Sequence, residues 1–335
     1  MNEYTKLFID NEYPSFIDKY LNTRTLKRLK YVSQFCGCDY SGLYNPIFFY
    51  SRFDHSLTVA HMTWHFTKNK EETIAALLHD VGTPCFAHTI DFVLNDNLNQ
   101  ESSEKDIVEL IKQDKELLNY LNEDNISLET LKDLTKYPIL ENKSPRLCTD
   151  RLDGVLHTCY IWLHTHPLED IENIYKDITV LKNEDNLLEL GFQNQTICEQ
   201  FTQMVKIYAE KLQSCETKYI MQYLSEVIKK AIQKNLFTLE NLYTKKEKEI
   251  INIIDKNFSS WKAFCEETSI KRTNEKPNYF YASSETKKRN VIPLIKIENK
   301  FIRINEVSNK AKQIYLELSN YQDSKYAYIE NIKEI

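Results

Sequence analysis

Four side chains in this chain are of the types that hold a divalent metal ion: His55, His79, Asp80 and Asp150. Two neutral imidazoles and two carboxylate oxygens suit a hard or borderline cation and leave positions for water or a phosphate oxygen. His79 and Asp80 are adjacent, close an apolar run (TIAALL) and stand directly before Val81-Gly82. Successive side chains on a helix diverge by about 100°, so the two neighbours can reach one ion lying near the helix end. His55 must come from a neighbouring helix, and Asp150, some 70 residues beyond Asp80, from a third. The site therefore depends on the fold, and a His-Asp dipeptide alone does not establish it.

Other histidines compete for attention. His61 and His65 form an H-x-x-x-H pair, but position 62 is Met, so the glutamate of a zincin is absent. His61 also lies about 240° around the helix from His55, which makes packing or surface roles the expectation for both. His157, His164 and His166 follow Asp150 on or just after its helix. Of these, His157 can approach the site, with a structural role favoured.

The elements that must position these groups read as helical. In 335 residues there are only 5 Gly and 8 Pro, too few turn-formers for an all-β protein. Periodicity predicts an amphipathic lead-in over 1–23, a helix from Leu26 to Phe35 stopped by Gly37, and helices over 51–68 and 71–81. Gly82-Thr83-Pro84 reads as stop, cap and first helical residue of a third helix carrying His88 and Asp91. Helices are expected over 104–121, 127–136, 149–165 and through 196–257, with 168–193 acidic and less regular. Past Lys271, NYFYASSE and VIPLIKIENKFIRINEV suggest short strands, followed by a helix with Ala311, Ile314, Tyr315 and Leu318 on one face.

A hydrophobic fraction of 42% with 27% charged residues permits a packed core, and a net charge of -6 gives no general attraction to nucleic acid or anionic membrane. The 8 cysteines include one close pair, Cys36-x-Cys38, without the second pair of a zinc ribbon. No signal peptide opens the chain, and no apolar run nears the roughly 18 residues of a membrane span. The expectation is a cytoplasmic protein with reduced thiols.

The wider motifs are RFDHSLTVA, LLHDVG-x-P-x-F-x-H-x-x-D and D-R-L-D, preceded by LKRLKYVSQFCG and followed by KKRNVIPLIKIENKFIRINEVSNKAKQIYLEL. This set resembles the HD superfamily, and within it the branch of deoxynucleotide triphosphohydrolases that contains bacterial dGTPases and the sterile-alpha-motif HD enzymes. The resemblance spans most of residues 24–320. It implies a mainly α fold, an HD-domain helical fold with a small α+β C-terminal lobe. Its expected divisions are a metal-binding core at 1–175, a helical extension at 176–268 and the lobe at 269–335. It further implies that His55, His79, Asp80 and Asp150 bind the metal, typically Mn, Fe, Mg, Ni or Zn. Arg52 would hold a phosphate oxygen, the alternative being a pair with Asp54 or a backbone carbonyl. Arg151 would touch phosphate or form a surface ion pair. Gln34 would read the sugar or tie two helices.

The resemblance implies a metal-dependent phosphohydrolase acting on a nucleotide, a (deoxy)nucleoside triphosphate first. A monophosphate, a cyclic nucleotide or a regulatory nucleotide-binding role are the alternatives, and homo-oligomers are common in the branch. The chain also departs from that branch. Thr83 and Gln100-Glu101 stand where accessory histidines are usual, and Gly154 replaces the aromatic after D-R-x-D. A leaving alkoxide needs a proton from a positioned acid, worth about 10²–10⁴-fold. His88, held by Asp91, remains the candidate, with Glu101 a distant second.

Overall fold

The computed structural model describes residues 1–9, 12–103 and 105–335. The longer helices that build the site are α1 (Arg52–Thr67), α2 (Lys70–Leu78), α3 (Thr149–His157), α4 (Gln195–Leu212), α5 (Cys215–Gln233), α6 (Glu247–Asn257) and α7 (Asn309–Asn320). The lead-in consists of short turns at Glu3–Leu7, Ser15–Ile17 and Tyr20–Asn22. The part of the expected helix at residues 10 and 11 lies outside the described residues. The stretch expected to be helical over 104–121 is broken into Ile107–Lys112 and Lys115–Glu123, with residue 104 likewise outside.

Helix α1 starts where its sequence predicts. Ser51 Oγ accepts from the Asp54 N–H at 3.1 Å, while Asp54 Oδ2 accepts from the Ser51 N–H at 3.0 Å. Such a reciprocal cap contributes about 1 kcal/mol and fixes where the first turn begins. From Arg52 to Thr63 every residue of α1 except Asp54 is buried. A helix enclosed on nearly all sides is a central strut. Leu57, Val59 and Ala60 join a core with Ile74, Leu77 and Leu121, while Met62 joins a larger core with Leu156, Phe201 and Tyr223. His55 is thus held between two packed bodies.

Helix α2 is capped by Asn69, whose Oδ1 accepts from Glu72 N–H at 3.1 Å, and ends at Leu78. Beyond it the chain turns tightly, with Val81 N–H donating to Leu78 O at 3.2 Å and Thr83 N–H to Asp80 O at 3.0 Å. Gly82 is needed here because a Cβ would meet Lys105 O at 2.4 Å, not because a left-handed cap demands it. The helix expected to restart at Pro84 does not. Cys85 N–H donates to Leu242 O at 2.8 Å and Phe86 N–H to Glu247 Oε1 at 2.6 Å. These tertiary bonds draw the chain out, leaving Phe86 and Ala87 at φ 63° and 44°, and the helix begins only at Thr89 (Thr89–Val93).

Residues 168–193, expected to be irregular, form a helix at Leu168–Asp177 and a hairpin of β1 (Ile178–Lys182) and β2 (Leu188–Phe192). Its turn residues, Asn183 to Asn186, gave a hairpin signal that the acidic composition hid. Later strands are β3 (Lys271–Thr273), β4 (Tyr281–Ala282), β5 (Leu294–Ile297), β6 (Lys300–Arg303) and β7 (Tyr326–Tyr328). One sheet has the order β1-β2-β5-β6, in which β2 and β5 are parallel and the other pairs antiparallel; the second is β3-β7-β4, all antiparallel. The expectation of a mainly α fold with a small α+β C-terminal lobe is met, and the first sheet ties that lobe to the 178–192 hairpin. Helix α7 buries Ala311, Ile314 and Leu318, as its spacing predicts. All eight cysteines are free thiols, and among the described residues no helix is long and apolar enough to cross a membrane.

Candidate metal centre

His55 comes from the first turn of α1, His79 and Asp80 from the end of α2, and Asp150 from the first turn of α3. Their tips converge. His55 Nε2 lies 3.2 Å from His79 Nε2 and 3.1 Å from Asp150 Oδ1. His79 Nε2 is 3.6 Å from Asp150 Oδ1, and Asp80 Oδ2 is 3.8 and 3.9 Å from the two imidazoles. Ligands about 2.1 Å from a common ion stand roughly 3 Å apart at adjacent corners, so the cluster has the spacing of one coordination sphere.

The proton positions reinforce this. His79 Nδ1 is 2.7 Å from the Ala76 carbonyl, which can only accept, so the ring proton sits there and the Nε2 lone pair faces inward. His55 Nδ1 is 2.5 Å from Asp153 Oδ2, which fixes the same tautomer. Two ring nitrogens 3.2 Å apart, flanked by two carboxylate oxygens, are placed to share one positive charge. Burial disfavours the charged form of His55. Hydrogen bonds to Asp150 and Asp153, with Asp80 close by, more than offset this and lift its pKa to about 10. His79 is raised despite burial by Asp80 and Asp150. Both carboxylates are held below their ordinary range against burial, Asp80 by Arg52 and the imidazoles and Asp150 by the two imidazoles. The site attracts positive charge, whether as a proton or a metal ion, and the residues present fit a divalent one.

Residues 52–149 match the family profile described as the HD domain. Asp150 is the next residue in the chain. Over 322 residues the protein is 24% identical to the uncharacterized protein YdhJ of Bacillus subtilis (strain 168), covering 95% of each chain. Its structure resembles that of a phosphohydrolase from Bacteroides thetaiotaomicron VPI-5482, with a TM-score of 0.59, 15% identity and 95% of each chain covered. It also resembles a hypothetical protein from Aquifex aeolicus, with a TM-score of 0.52, 16% identity and coverage of 94% and 92%. At these identities the two structures speak for the fold.

Behind His55 lies a group that sequence reasoning did not assign, Asp153. It is fully buried and accepts from Tyr4 Oη at 2.6 Å; Tyr50 Oη lies 3.3 Å from both its oxygens, and His157 Nδ1 3.2 Å from Oδ2. With four donors around one carboxylate, the His55–Asp153–His157 group is a hydrogen-bond hub and not a second ion site. It holds the ring and tautomer of His55, as an outer carboxylate commonly does for a histidine at a metal. The signal was present as the second Asp of D-R-L-D, one turn after Asp150.

The cavity in front of the cluster has a volume of about 640 Å³. Arg52 lines it and pairs with Asp80 Oδ2 at 2.8 Å, not with Asp54 as one alternative held. His88 also lines it, with Nδ1 3.1 Å from Asp91 Oδ2. Asp91 in turn accepts from Ser103 N–H at 2.8 Å and Ser103 Oγ at 3.1 Å. Burial lowers the His88 pKa, Asp91 works against that, and Arg289 and Arg52 press it further down. Gln34 faces the cavity, and its Oε1 has no hydrogen-bond partner among the described residues. Arg151 lines the cavity but is engaged with Glu141 Oε1 at 2.6 Å, Asn142 Oδ1 at 2.5 Å and Arg146 O at 2.9 Å, which holds the 141–146 loop.

The departures from the related branch also find their places. Thr83 Oγ1 donates to Asp80 Oδ1 at 3.1 Å, orienting a cluster carboxylate instead of capping a helix. Gln100 is buried and accepts from Arg289 Nη2 at 2.9 Å. A Cβ on Gly154 would meet only Tyr208 Oη, at 3.8 Å, so an aromatic of α4 stands against this glycine. His61 is buried inside α1, away from the cluster, as expected.

Proposed function

We infer that this HD domain is a metal-dependent phosphohydrolase and that its substrate is a nucleotide phosphoester, a (deoxy)nucleoside triphosphate first. The carrying observation is the approach of His55 Nε2 and His79 Nε2 to 3.2 Å with Asp80 and Asp150 beside them. His55, His79, Asp80 and Asp150 are the ligands in this reading. When bound, a divalent ion (Mn, Fe, Mg, Ni or Zn) lowers the pKa of water and neutralises phosphoryl charge. The chain's own residues do the rest. Asp153 and the Ala76 carbonyl fix the imidazole tautomers. Arg52 stands within reach of a phosphoryl oxygen beside Asp80, and Arg151 keeps the 141–146 loop in place as a wall. His88, its Nδ1–H donated to Asp91, keeps Nε2 to take up a proton from water and pass it to a leaving oxygen. Gln34, with its free carbonyl oxygen, and Tyr208 supply polar and aromatic surface for a sugar.

The test is metal analysis together with hydrolysis of nucleoside tri-, di-, mono- and cyclic phosphates, separating triphosphate from orthophosphate as product. Asp80→Ala should lose both bound metal and turnover. A wild-type protein that turns over no nucleotide in any of these metals refutes the reading. A second reading, a nucleotide-binding regulatory module, draws on Thr83 and Gln100 standing where accessory histidines are usual. It predicts thermal stabilisation by a nucleotide with no product.

A further inference from the structure

The stretch 283–291 carries no regular structure, yet it is fastened along its length, and residues 286–291 line the cavity in front of the cluster. Ser283 and Ser284 N–H groups donate to Gln222 Oε1 of α5 at 3.0 and 3.2 Å. Asn97 Nδ2 donates to Glu285 O at 2.7 Å, and Ser144 Oγ to Asn290 O at 3.2 Å. Tyr315 Oη of α7 closes the far end on Val291 O at 2.7 Å. This strap belongs to the C-terminal lobe, and it places Lys287, Lys288 and Arg289 in the wall of a cavity whose floor is the HD cluster.

Among the described residues the charges in that wall do not balance. The lining cations are Arg52, Lys143, Arg151, Lys287, Lys288 and Arg289. Facing them, among the described residues, are four carboxylates: Asp80 and Asp150 belong to the His-Asp cluster, Glu141 is bound by Arg151 and Glu101 is 3.7 Å from Lys287. Among the described residues, Lys143, Lys288 and Arg289 have no carboxylate within ion-pair distance. Arg289 is also oriented: the buried Gln100 carbonyl takes Nη2 at 2.9 Å, which leaves the rest of a planar fork of donors. A guanidinium fixed on one side matches the two-oxygen edge of a phosphate, whereas a lysine would act as a point charge.

We propose that the strap makes the C-terminal lobe part of the substrate site, with Arg289, aimed by Gln100, binding the phosphates of a polyphosphate chain beyond the one at the cluster. This rests on the phosphohydrolase reading and deepens it. A single phosphate at the cluster meets Arg52; the surplus charge on the strap is used only by a longer anion. Gln100 is a positioning residue for Arg289 and touches no substrate.

The experiment compares inorganic tripolyphosphate with orthophosphate, and a nucleoside triphosphate with both, by calorimetric titration in Mn²⁺. Wild type, Arg289→Gln, Arg289→Lys and Gln100→Ala are used, each checked for folding by thermal melt. Arg289→Gln should weaken tripolyphosphate and nucleoside triphosphate roughly ten- to hundredfold, the range for a hydrogen bond to a charged group, and leave orthophosphate unchanged. Arg289→Lys should recover part of the loss, and Gln100→Ala should reproduce a fraction of it. If the nucleoside triphosphate binds tighter than tripolyphosphate, the chain belongs to a nucleotide; equal binding points to free polyphosphate. Tripolyphosphate that binds Arg289→Gln as it binds wild type overturns the proposal, even in a protein that hydrolyses phosphoesters. Arg289-dependent tripolyphosphate binding in a protein without hydrolysis upholds it and overturns the catalytic reading instead.

Discussion

Replacing Asp153 with asparagine separates the geometry of a proposed metal ligand, His55, from its presence. The carboxylate is fully buried and serves His55 Nδ1 at 2.5 Å, Tyr4 Oη at 2.6 Å and His157 Nδ1 at 3.2 Å. Asparagine keeps the shape but has one acceptor oxygen, and its NH₂ takes the other place. If the oxygen remains on Tyr4, the NH₂ meets His55 Nδ1 and drives its proton to Nε2. The lone pair that should face the ion is then gone. Loss of such an outer partner costs about 10–100-fold in metal affinity, or about 1.4–2.8 kcal/mol. An orphaned buried donor costs a further 1–3 kcal/mol or so of stability. Competitive chelator titration measures the first and urea unfolding of the metal-free protein the second. A variant with reduced stability and undiminished metal affinity would show that Asp153 only packs, and the tautomer argument would fall.

Two further outcomes follow from buried groups outside the cluster. His61 is almost wholly buried, its ring nitrogens have no partner among the described residues, and burial pushes its pKa down to about 4. Between this value and the unfolded value near 6.5 the unfolded chain binds more protons, so stability is lost as pH falls; from pH 7 to 5 the loss is about 2 kcal/mol. His61→Leu should remove that slope in urea melts at the two pH values, and an unchanged slope rejects the assignment. Arg28 Nη2 donates to the carbonyls of Val81 and Thr83, bracing the turn that follows the HD pair. Arg28→Met should cost about 2 kcal/mol in a denaturant melt and lower turnover while all four proposed ligands stay in place; full activity with normal stability argues against a bracing role.

Much of the site was legible because its residues sit at element ends that local chemistry marks. Ser51 and Asp54 cap α1 and so place His55, and the apolar run TIAALL stops at His79. What escaped was set by contacts distant in sequence. The turn at Phe86 and Ala87 is held open by Glu247 and Leu242, some 160 residues away, so no local rule for Thr-Pro could see it. The hairpin at 178–192 was hidden by its charges, because Glu189, which looks like a surface residue, is buried and paired with Arg303 at 2.5 Å. Asp153 was visible as a residue, but its task was not: the tyrosines it gathers come from positions 4 and 50. Gln100 was likewise read as a missing histidine because its partner, Arg289, lies 189 residues on.

The parallel pairing of β2 with β5, through Gly191 with Leu294 and Phe192 with Ile295, has a consequence for the order in which the molecule is made. Every proposed ligand of the ion has left the ribosome by residue 150, and the hub behind His55 is complete at His157. The wall opposite is not: β2 must wait about 100 residues for its neighbour, and only then is the strap drawn across. During synthesis the four proposed ligands therefore emerge well before the wall that faces them is complete.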